Sequence, residues 1–201
     1  MIAALSTHGG RGLLAAFFDH SVPRRYPHVC EALTRYTQAG GVSIEIGCGG
    51  KQYGDFVRGR HVGLDLRSDL YTGTGPEVVG DARALPLCGL SVDNVFFVAV
   101  LYNIDEWQKA VSECARVLRP GGRLLVFDYK GWVARRLGAP NQFTAAGLVR
   151  GMEQAGLVGE HHTEFLPIHR IGPLNNRYVC RVVAPLIHLM SNWLIVSGTK
   201  V

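Results

Sequence analysis

The sequence predicts an α/β fold in which a mostly parallel β-sheet is covered by helices on both faces. Its short apolar runs are hydrophobic almost throughout, which is typical of strands that are buried on both sides. Between and after these runs, apolar residues recur at helical spacing, and the segments end at glycine or proline. Strands separated by helices favour parallel pairing, because parallel neighbours need a crossover connection.

The first 40 residues come before any predicted strand and are expected to form a helical cap. Apolar side chains recur at helical spacing across residues 26–36. The runs that follow predict five strands, at residues 42–46, 61–66, 77–82, 92–100 and 122–129. A helix is predicted from Glu106 to Leu118, and Pro120-Gly121-Gly122 ends it.

The remaining residues, 131–201, are predicted to complete the sheet and to contain a helical insertion. Asn141 or Thr144 caps a helix that continues to Ala155. The sixth and seventh strand candidates are residues 159–166 and 193–197. Between them, the spacing over residues 179–190 predicts a helix that Pro185 kinks or interrupts.

Length and composition indicate one globular domain over residues 1–201. The chain has 201 residues, 47% of them hydrophobic and 18% charged, which is enough for a full core and excludes a disordered chain. No run of eighteen apolar residues occurs, so a membrane-spanning helix is not expected. No basic region precedes the apolar N-terminal patch, so a signal peptide is not expected either.

The cysteines and the net charge indicate which cellular compartment and which partners to expect. Five scattered cysteines form neither an even framework nor a CxxC pair, which favours a reducing cytoplasm. The net charge of +5 permits a nucleic-acid partner. However, the basic residues are dispersed apart from Arg24-Arg25 and Arg135-Arg136, so a mildly basic surface is the preferred interpretation.

A glycine-rich loop follows the first predicted strand. Residues 47–54, GCGGKQYG, contain four glycines, and ligands of open α/β sheets bind beside the first such loop. Glycine lets a backbone approach a ligand closely, but a tight turn alone explains the glycines equally well. A dinucleotide fingerprint would need a third glycine at Gln52, so that motif is not present.

Three acidic residues lie where the predicted strands end. Glu45 lies inside the first strand, where a buried carboxylate needs a partner that brings positive charge or N–H groups. Asp65 ends the second strand and either caps the next segment or accepts the two hydroxyls of a ribose. Asp81 follows the third strand and is read as a turn or cap residue on its own. Together with the loop, these acids favour a nucleoside ligand.

Five sequence pieces in order, EIGCGG, GLDL, GDARALPL, VDNVFFVAVLYNID and RVLRPGGRLLVFD, resemble the class I S-adenosylmethionine-dependent methyltransferases, particularly the type 11 group. The resemblance covers residues 40–130. It implies a Rossmann-like, doubly wound, mostly parallel seven-stranded sheet, with S-adenosyl-L-methionine as cofactor and residues 41–130 as the cofactor-binding core.

The resemblance also implies roles for individual residues. Glu45, Gly47 and Gly49, with Ile46 and Cys48 between them, would surround the methionine part of the cofactor. Moving along the cofactor, it implies Asp65 at the ribose, Leu66 beside the adenine, Asp81 and the Ala82 N–H at the adenine edge, and Phe97 and Val98 at the methionine side.

One departure concerns the loop. Relatives carry a third glycine at the position of Lys51, whereas Gly50 comes one place early. Lys51 could therefore alter the loop or place a cation beside the cofactor carboxylate.

Methyl transfer from a sulfonium needs positioning and desolvation, and it needs a general base only when the acceptor starts protonated. By the resemblance, residues 12–36 and 166–192 would build the acceptor pocket. The weak candidates for a base or an acceptor contact are His20, His28, His169, Tyr102 and Asn103. A histidine on such a helix is more often an ordinary surface or core group. His161-His162 lacks a third ligand, so no metal is expected.

Three functions remain open from the sequence. The leading one is methylation of a small hydrophobic or aromatic metabolite at O, N or C. The basic pI motivates a methyltransferase of RNA or protein, although the motif of base-amino methyltransferases does not follow the fourth strand. Lys51 and the lack of a visible base motivate a non-catalytic member of the fold. In each case the apolar segment 179–190 could form a homodimer interface.

Overall fold

The computed structural model describes residues 27–68, 75–165 and 191–201. Their centre is a seven-stranded sheet with the order β3-β2-β1-β4-β5-β7-β6. The strands are β1 (Gly41–Ile46), β2 (Gly59–Asp65), β3 (Val78–Val79), β4 (Val92–Val98), β5 (Leu118–Tyr129), β6 (Leu157–Phe165) and β7 (Trp193–Lys200). The strands β1 to β5 pair in parallel, and β7 runs antiparallel between β5 and β6. The predicted mostly parallel seven-stranded sheet is confirmed.

The described helices are α1 (Pro27–Tyr36), α2 (Trp107–Val117), α3 (Gly131–Arg136) and α4 (Ala145–Gln154). At the start of α4, the Thr144 hydroxyl accepts the N–H of Gly147 at 3.1 Å, so Thr144 is the cap rather than Asn141. The prediction for α2 is confirmed to within one residue at each end. The short α3 was missed, because six residues are too few to show a helical period.

Several predicted boundaries were wrong. The first helix ends at Tyr36, and Gly40 turns the chain into β1 with a φ of 73°. The third strand is only Val78–Val79, since Asp81 already belongs to a tight turn that bridges to Ala84. The fifth strand begins at Leu118, because Leu118 pairs with Val92 and the Pro-Gly-Gly turn is absorbed as an irregularity of the ladder.

The fourth strand ends at Val98, two residues before its predicted end, because Ala99 turns away with a φ of 55°. The sixth strand starts at Leu157 and the seventh continues to Lys200, since their antiparallel pairing extends from Leu157↔Lys200 to Phe165↔Trp193. The predicted helix over 179–190, with Pro185, lies outside the described residues, and so do residues 1–26.

Two apolar layers enclose the sheet. The helices α2 and α4 cover one face, where their buried side chains contact those of the central strands. The helices α1 and α3 pack on the other face, against Phe96, Leu125 and Phe127. Within the described residues, no helix is long and apolar enough to cross a bilayer.

The connection from β1 to β2 contains no α-helix, although strands that pair in parallel are commonly joined through one. Residues 47–58 form turns and one short 3₁₀ segment, Gly54–Phe56. Positive φ angles at Gly47, Gly49 and Lys51 interrupt any helical path. Tyr53, only 1% exposed, packs with Val57 where helix side chains would otherwise cover the sheet.

Candidate functional site

A cavity of about 270 Å³ opens where the carboxyl ends of β1, β2 and β4 meet. Six of the predicted cofactor residues line it: Ile46, Gly47, Asp65, Leu66, Asp81 and Ala82. Asn103, one of the predicted acceptor-side residues, lines it as well. The fold therefore brings together segments that are up to 57 positions apart, from Ile46 to Asn103.

Gly47 is required by both conformation and space. Its φ is 68°, a region that favours glycine, and its N–H donates to the carbonyl of Leu64 at 2.8 Å. A Cβ at this position would lie 2.5 Å from Cγ2 of Val100. The loop and the segment after β4 thus meet at this glycine.

Asp65 connects the end of β2 to the glycine loop. Its Oδ2 accepts the N–H of Gly49 at 3.2 Å, and its Oδ1 accepts the N–H of Arg67 at 3.4 Å. Because it is only half-buried and also lines the cavity, its carboxylate can accept further donors from a ligand.

Glu45 lies beneath the loop and does not line the cavity. It is 3% exposed, and its Oε2 lies 2.9 Å from Nε2 of His61 on β2. Neither Oε2 of Glu45 nor Nε2 of His61 makes a hydrogen bond of ordinary geometry. His61 nevertheless lies where a partner of Glu45 was expected from the sequence. Burial raises the pKa of Glu45, and the contact with His61 opposes that rise. A carboxylate held in this way keeps an unsatisfied oxygen next to the loop.

Lys51 is directed away from the cavity. Its ammonium pairs with the carboxylate of Glu77, whose other oxygen accepts the N–H of Gly63 at 2.6 Å. Lys51 itself has a φ of 51°, so a non-glycine residue adopts the left-handed conformation here. Of the two expectations for Lys51, the structure supports an altered loop, and its cation serves Glu77.

Cys48 and Gly63 fit together under the loop. A Cβ at Gly63 would lie 2.6 Å from the Cys48 sulfur and 2.9 Å from Cδ of Lys51. Burial, helped by nearby carboxylates, raises the pKa of the Cys48 thiol to about 12. The thiol therefore stays protonated at neutral pH and serves as a packing group rather than a nucleophile.

Asp81 already has a partner in the described structure. Arg83 binds its carboxylate with Nε at 3.0 Å from Oδ1 and with its terminal nitrogen at 2.7 Å from Oδ2. The Arg83 guanidinium holds the pKa of Asp81 below its usual range. Since both groups are partly exposed, this pair is weak enough for a ligand to rearrange.

The end of β4 lies differently from the prediction. Phe97 is 0% exposed and packs in the core, and Val98 packs on the opposite face, so neither lines the cavity. The chain turns at Ala99, whose φ is 55°, and Val100 is the first residue after β4 to reach the cavity.

The other candidates are scattered. Tyr102 is half-buried with its ring edge-on to Tyr129 at 5.1 Å, and burial together with Asp128 raises its pKa. His28 is exposed and lines a separate groove of about 210 Å³ with Tyr36 and His162. His20 and His169 lie outside the described residues. In the part of the chain that is described, no three potential ligands could hold a metal ion.

Sequence reasoning missed six residues that line the cavity: Leu64, Gly80, Arg83, Val100, Ile104 and Asp105. Ile104 and Asp105 follow the fourth strand, so their position alone could have suggested them. Val100 carries no such signal, because its place depends on the left-handed turn at Ala99.

The residues present fit the nucleoside part of S-adenosylmethionine. The cavity offers carboxylates for hydroxyl and amino donors at Asp65 and Asp81, and apolar side chains for the faces of a base at Leu66 and Ile104. Gly47 lets Val100 pack closely against the loop, and the unsatisfied oxygen of Glu45 lies beneath the same loop.

Comparisons with known proteins agree with this arrangement. Residues 44–126 match the family described as methyltransferase domain. A malonyl-[acyl-carrier protein] O-methyltransferase of Methylococcus capsulatus is 55% identical over 47 residues, which are 23% of this chain and 17% of that protein. A demethylmenaquinone methyltransferase of Renibacterium salmoninarum is 42% identical over 52 residues, 26% of this chain and 22% of that protein. The chain thus matches less than a quarter of the length of these two relatives.

Among solved structures, a SAM-dependent methyltransferase from Archaeoglobus fulgidus superposes with a TM-score of 0.65 at 14% identity, covering 95% of this chain and all of that one. At this identity the likeness shows the fold. The family match over residues 44–126 and the fold around it support a class I S-adenosylmethionine-dependent methyltransferase.

Proposed function

We propose that the chain binds S-adenosylmethionine in the 270 Å³ cavity and transfers its methyl group to O, N or C of a small hydrophobic or aromatic metabolite. The observation that carries the proposal is the cavity at the carboxyl ends of β1, β2 and β4, with the glycine loop on one side and the carboxylates of Asp65 and Asp81 on the others. The two relatives are named for malonyl-[acyl-carrier protein] and for demethylmenaquinone, which supports a small organic acceptor group.

The nucleoside is read by the residues that line the cavity. Asp65 accepts the ribose hydroxyls while it keeps the Gly49 N–H, since a carboxylate has room for several donors. Asp81 and the N–H of Ala82 bind the adenine edge, for which Arg83 must release part of Asp81. Leu66, 64% exposed, and Ile104 flank the base, and burying a leucine side chain fully contributes about 1.5–3 kcal/mol.

Glu45 acts through the loop rather than by direct contact. Once ionised, its buried carboxylate makes the potential negative beneath Gly47 and Gly49, where the cationic end of the cofactor would lie and would itself favour the ionised form. His61 holds Glu45 in position and limits how strongly that charge acts.

The cofactor supplies a methyl group that a positive sulfur already activates, so the protein has to align and desolvate the reactants. Tyr102 stays protonated because its pKa is raised, and it is therefore a hydrogen-bond donor at neutral pH. Asn103 cannot take a proton. A base, where the acceptor needs one, would come from His20 or His169, which remain predictions.

Calorimetric titration with S-adenosylmethionine tests the first half of the proposal. We expect binding to the wild-type chain and a loss of about 10–100-fold for Asp65→Ala, because hydrogen bonds to charged groups contribute about 1.5–3 kcal/mol. Asp55→Ala is the matched control, since Asp55 is an exposed aspartate that does not line the cavity. No heat of binding at millimolar cofactor would refute the proposal.

Transfer of a radiolabelled methyl group tests the second half. The panel contains phenols, quinols, carboxylates and amines, with total RNA and a protein mixture beside them. Label in a small molecule supports the proposal, and label in RNA or protein supports the second of the open functions. Binding without transfer to any acceptor would favour a non-catalytic member of the fold.

A cytoplasmic location and a homodimer are part of the same proposal. Cys48, Cys88 and Cys114 form no disulfide in the described part of the chain, which is compatible with a reducing cytoplasm. A homodimer is a prediction that analytical ultracentrifugation would check.

A further inference from the structure

One wall of the cavity is a short segment without regular strand structure, residues 100–105, here called the wall segment. Four of its residues line the cavity: Val100, Asn103, Ile104 and Asp105. Val100 also fills the space beside Gly47, so the wall segment touches the glycine loop. Its position therefore sets the width of the cavity.

Asp128, near the end of β5, binds backbone N–H groups of the wall segment. It is 0% exposed, and its Oδ2 accepts the N–H of Tyr102 at 2.9 Å, with the N–H of Leu101 close by. Its Oδ1 accepts the N–H of Tyr129 at 2.7 Å. Both carboxylate oxygens are thus used by backbone groups.

Asn141, in the loop before α4, binds backbone carbonyl groups of the same segment. Its Nδ2 donates to the carbonyl of Ile104 at 2.6 Å and to that of Leu101 at 3.3 Å. Its own N–H donates to the carbonyl of Tyr102 at 3.2 Å. Two side chains of different chemistry, one ionisable and one neutral, therefore fix one wall.

We propose that Asp128 is a positioning residue of the cofactor cavity, and that its carboxylate form, together with Asn141, holds the wall segment where a nucleoside can bind. This inference rests on the proposed function, since it concerns the same cavity. When Asp128 takes up a proton, one oxygen becomes an O–H donor that faces backbone donors, and the wall segment loosens.

The proton is taken up near neutral pH. Burial raises the pKa of Asp128 to about 7, although the N–H groups of Tyr129, Tyr102 and Leu101 act in the opposite direction. Of the neighbouring titratable groups in the described chain, Tyr102 is kept neutral by its raised pKa, and Lys130 donates to the hydroxyl of Ser191. Cofactor affinity should therefore fall as the pH drops below 7.

The test is calorimetric binding of S-adenosylhomocysteine and of 5′-methylthioadenosine, which has no amino-acid tail, between pH 5.5 and 8.5. For the wild-type chain we expect affinity for both ligands to fall by up to about tenfold between pH 7 and pH 6, as one proton is taken up. Asp128→Asn should bind weakly at every pH without this step. Asn141→Ala should bind weakly as well but keep the step at the wild-type pH. Glu153→Gln, an exposed site on α4, should match the wild type.

Hydrogen exchange of the ligand-free wild-type chain supplies a second readout, should Asp128→Asn fail to fold. The amides of Leu101 and Tyr102, corrected for intrinsic rates, should lose protection from pH 8 to pH 6, while the core of α4 keeps it. Equal protection at both pH values, or an Asp128→Asn variant with the wild-type pH step, would overturn the inference. Failure to bind either ligand at any pH would instead refute the proposed function.

Discussion

The half of the sheet formed by β1, β2 and β3 is held together differently from the half formed by β4 to β7. In the first half the described connections contain no α-helix, and side-chain contacts to backbone groups fix the loops, as Asp65 does with Gly49 and Glu77 with Gly63. In the second half α2 and α4 bury apolar side chains such as Val111 and Leu148 completely. The loops of the first half, the cofactor half, are thus fixed by polar contacts, whereas the second half, the scaffold half, is covered by packed helices.

This difference predicts which half of the sheet should respond to ligand binding and to pH. Apolar packing does not change with pH, whereas each polar contact does so when its carboxylate titrates. Asp128 is an exception in the scaffold half, because it is a buried acid that reaches towards the cavity. It couples the two halves at one point.

The largest effect is expected in the scaffold half. Leu148→Ala should lower the free energy of unfolding by about 2–5 kcal/mol, because it leaves a cavity under α4. Urea denaturation followed by far-UV circular dichroism measures this loss. The exposed Val158→Ala is the control and should change little. A loss below about 1 kcal/mol for Leu148→Ala would show that the packing of α4 is not what holds this half.

The next effect concerns Asp128 and pH. Because its pKa is raised in the folded chain, the folded state keeps a proton that the unfolded state has released, so this group's contribution to stability declines as pH rises towards about 7. The decline amounts to at most about 1.4 kcal/mol per pH unit.

Chemical denaturation at pH 5, 6, 7 and 8 should show a steeper decline in the wild type than in Asp128→Asn, where, among the described carboxylates, only Glu45, whose pKa is also raised, still contributes to it. The carboxylates of Asp81, Glu77 and Glu113 have lowered pKa values, so their contributions are lost only at more acidic pH. The same slope in both chains would contradict the coupling of the two halves through Asp128.

A smaller effect is expected at the glycine loop. Gly47→Ala should weaken cofactor binding by about 1–3 kcal/mol, because alanine is strained at a φ of 68° and its Cβ meets Val100. Combining it with Val100→Ala should restore part of the affinity by removing the clash and leaving the strain. If the double variant binds the cofactor no more tightly than Gly47→Ala, the backbone strain alone accounts for the lost affinity.

The smallest effect is expected at Arg83. Arg83→Gln frees the carboxylate of Asp81, and cofactor affinity should rise by at most about fivefold, since an exposed ion pair is weak. The unfolding free energy serves as the control and should stay unchanged. A tenfold loss of affinity would mean that Arg83 itself binds the ligand.

The sequence predicted the sheet and most of the cavity, since both depend on local signals. Apolar runs and the acids that follow them indicated Asp65 and Asp81, the resemblance added Leu66, and all three line the cavity. Phe97 and Val98 were placed at the cofactor by the family resemblance, but in the structure the chain reaches the cavity only after it turns at Ala99. A left-handed turn at Ala99 has no sequence signature, as alanine rarely adopts it.

Contacts between residues far apart in the chain could not be predicted from the sequence, for a different reason. Glu45 was recognised as a buried acid in need of a partner, but His61 could be identified only from the register Ser43↔His61 between β1 and β2. Asp128 was read as part of a strand, and its contact with Tyr102 depends on how β4 and β5 end beside each other.

The missing helix after the glycine loop has a consequence for turnover. The amino end of an α-helix carries a partial positive charge that attracts anions, and the three-residue segment Gly54–Phe56 is too short to supply it. When Glu45 beneath the loop is ionised, the local field should favour the positively charged sulfonium over the neutral thioether that remains after the reaction. We therefore expect the spent cofactor to leave easily and product inhibition to be weak.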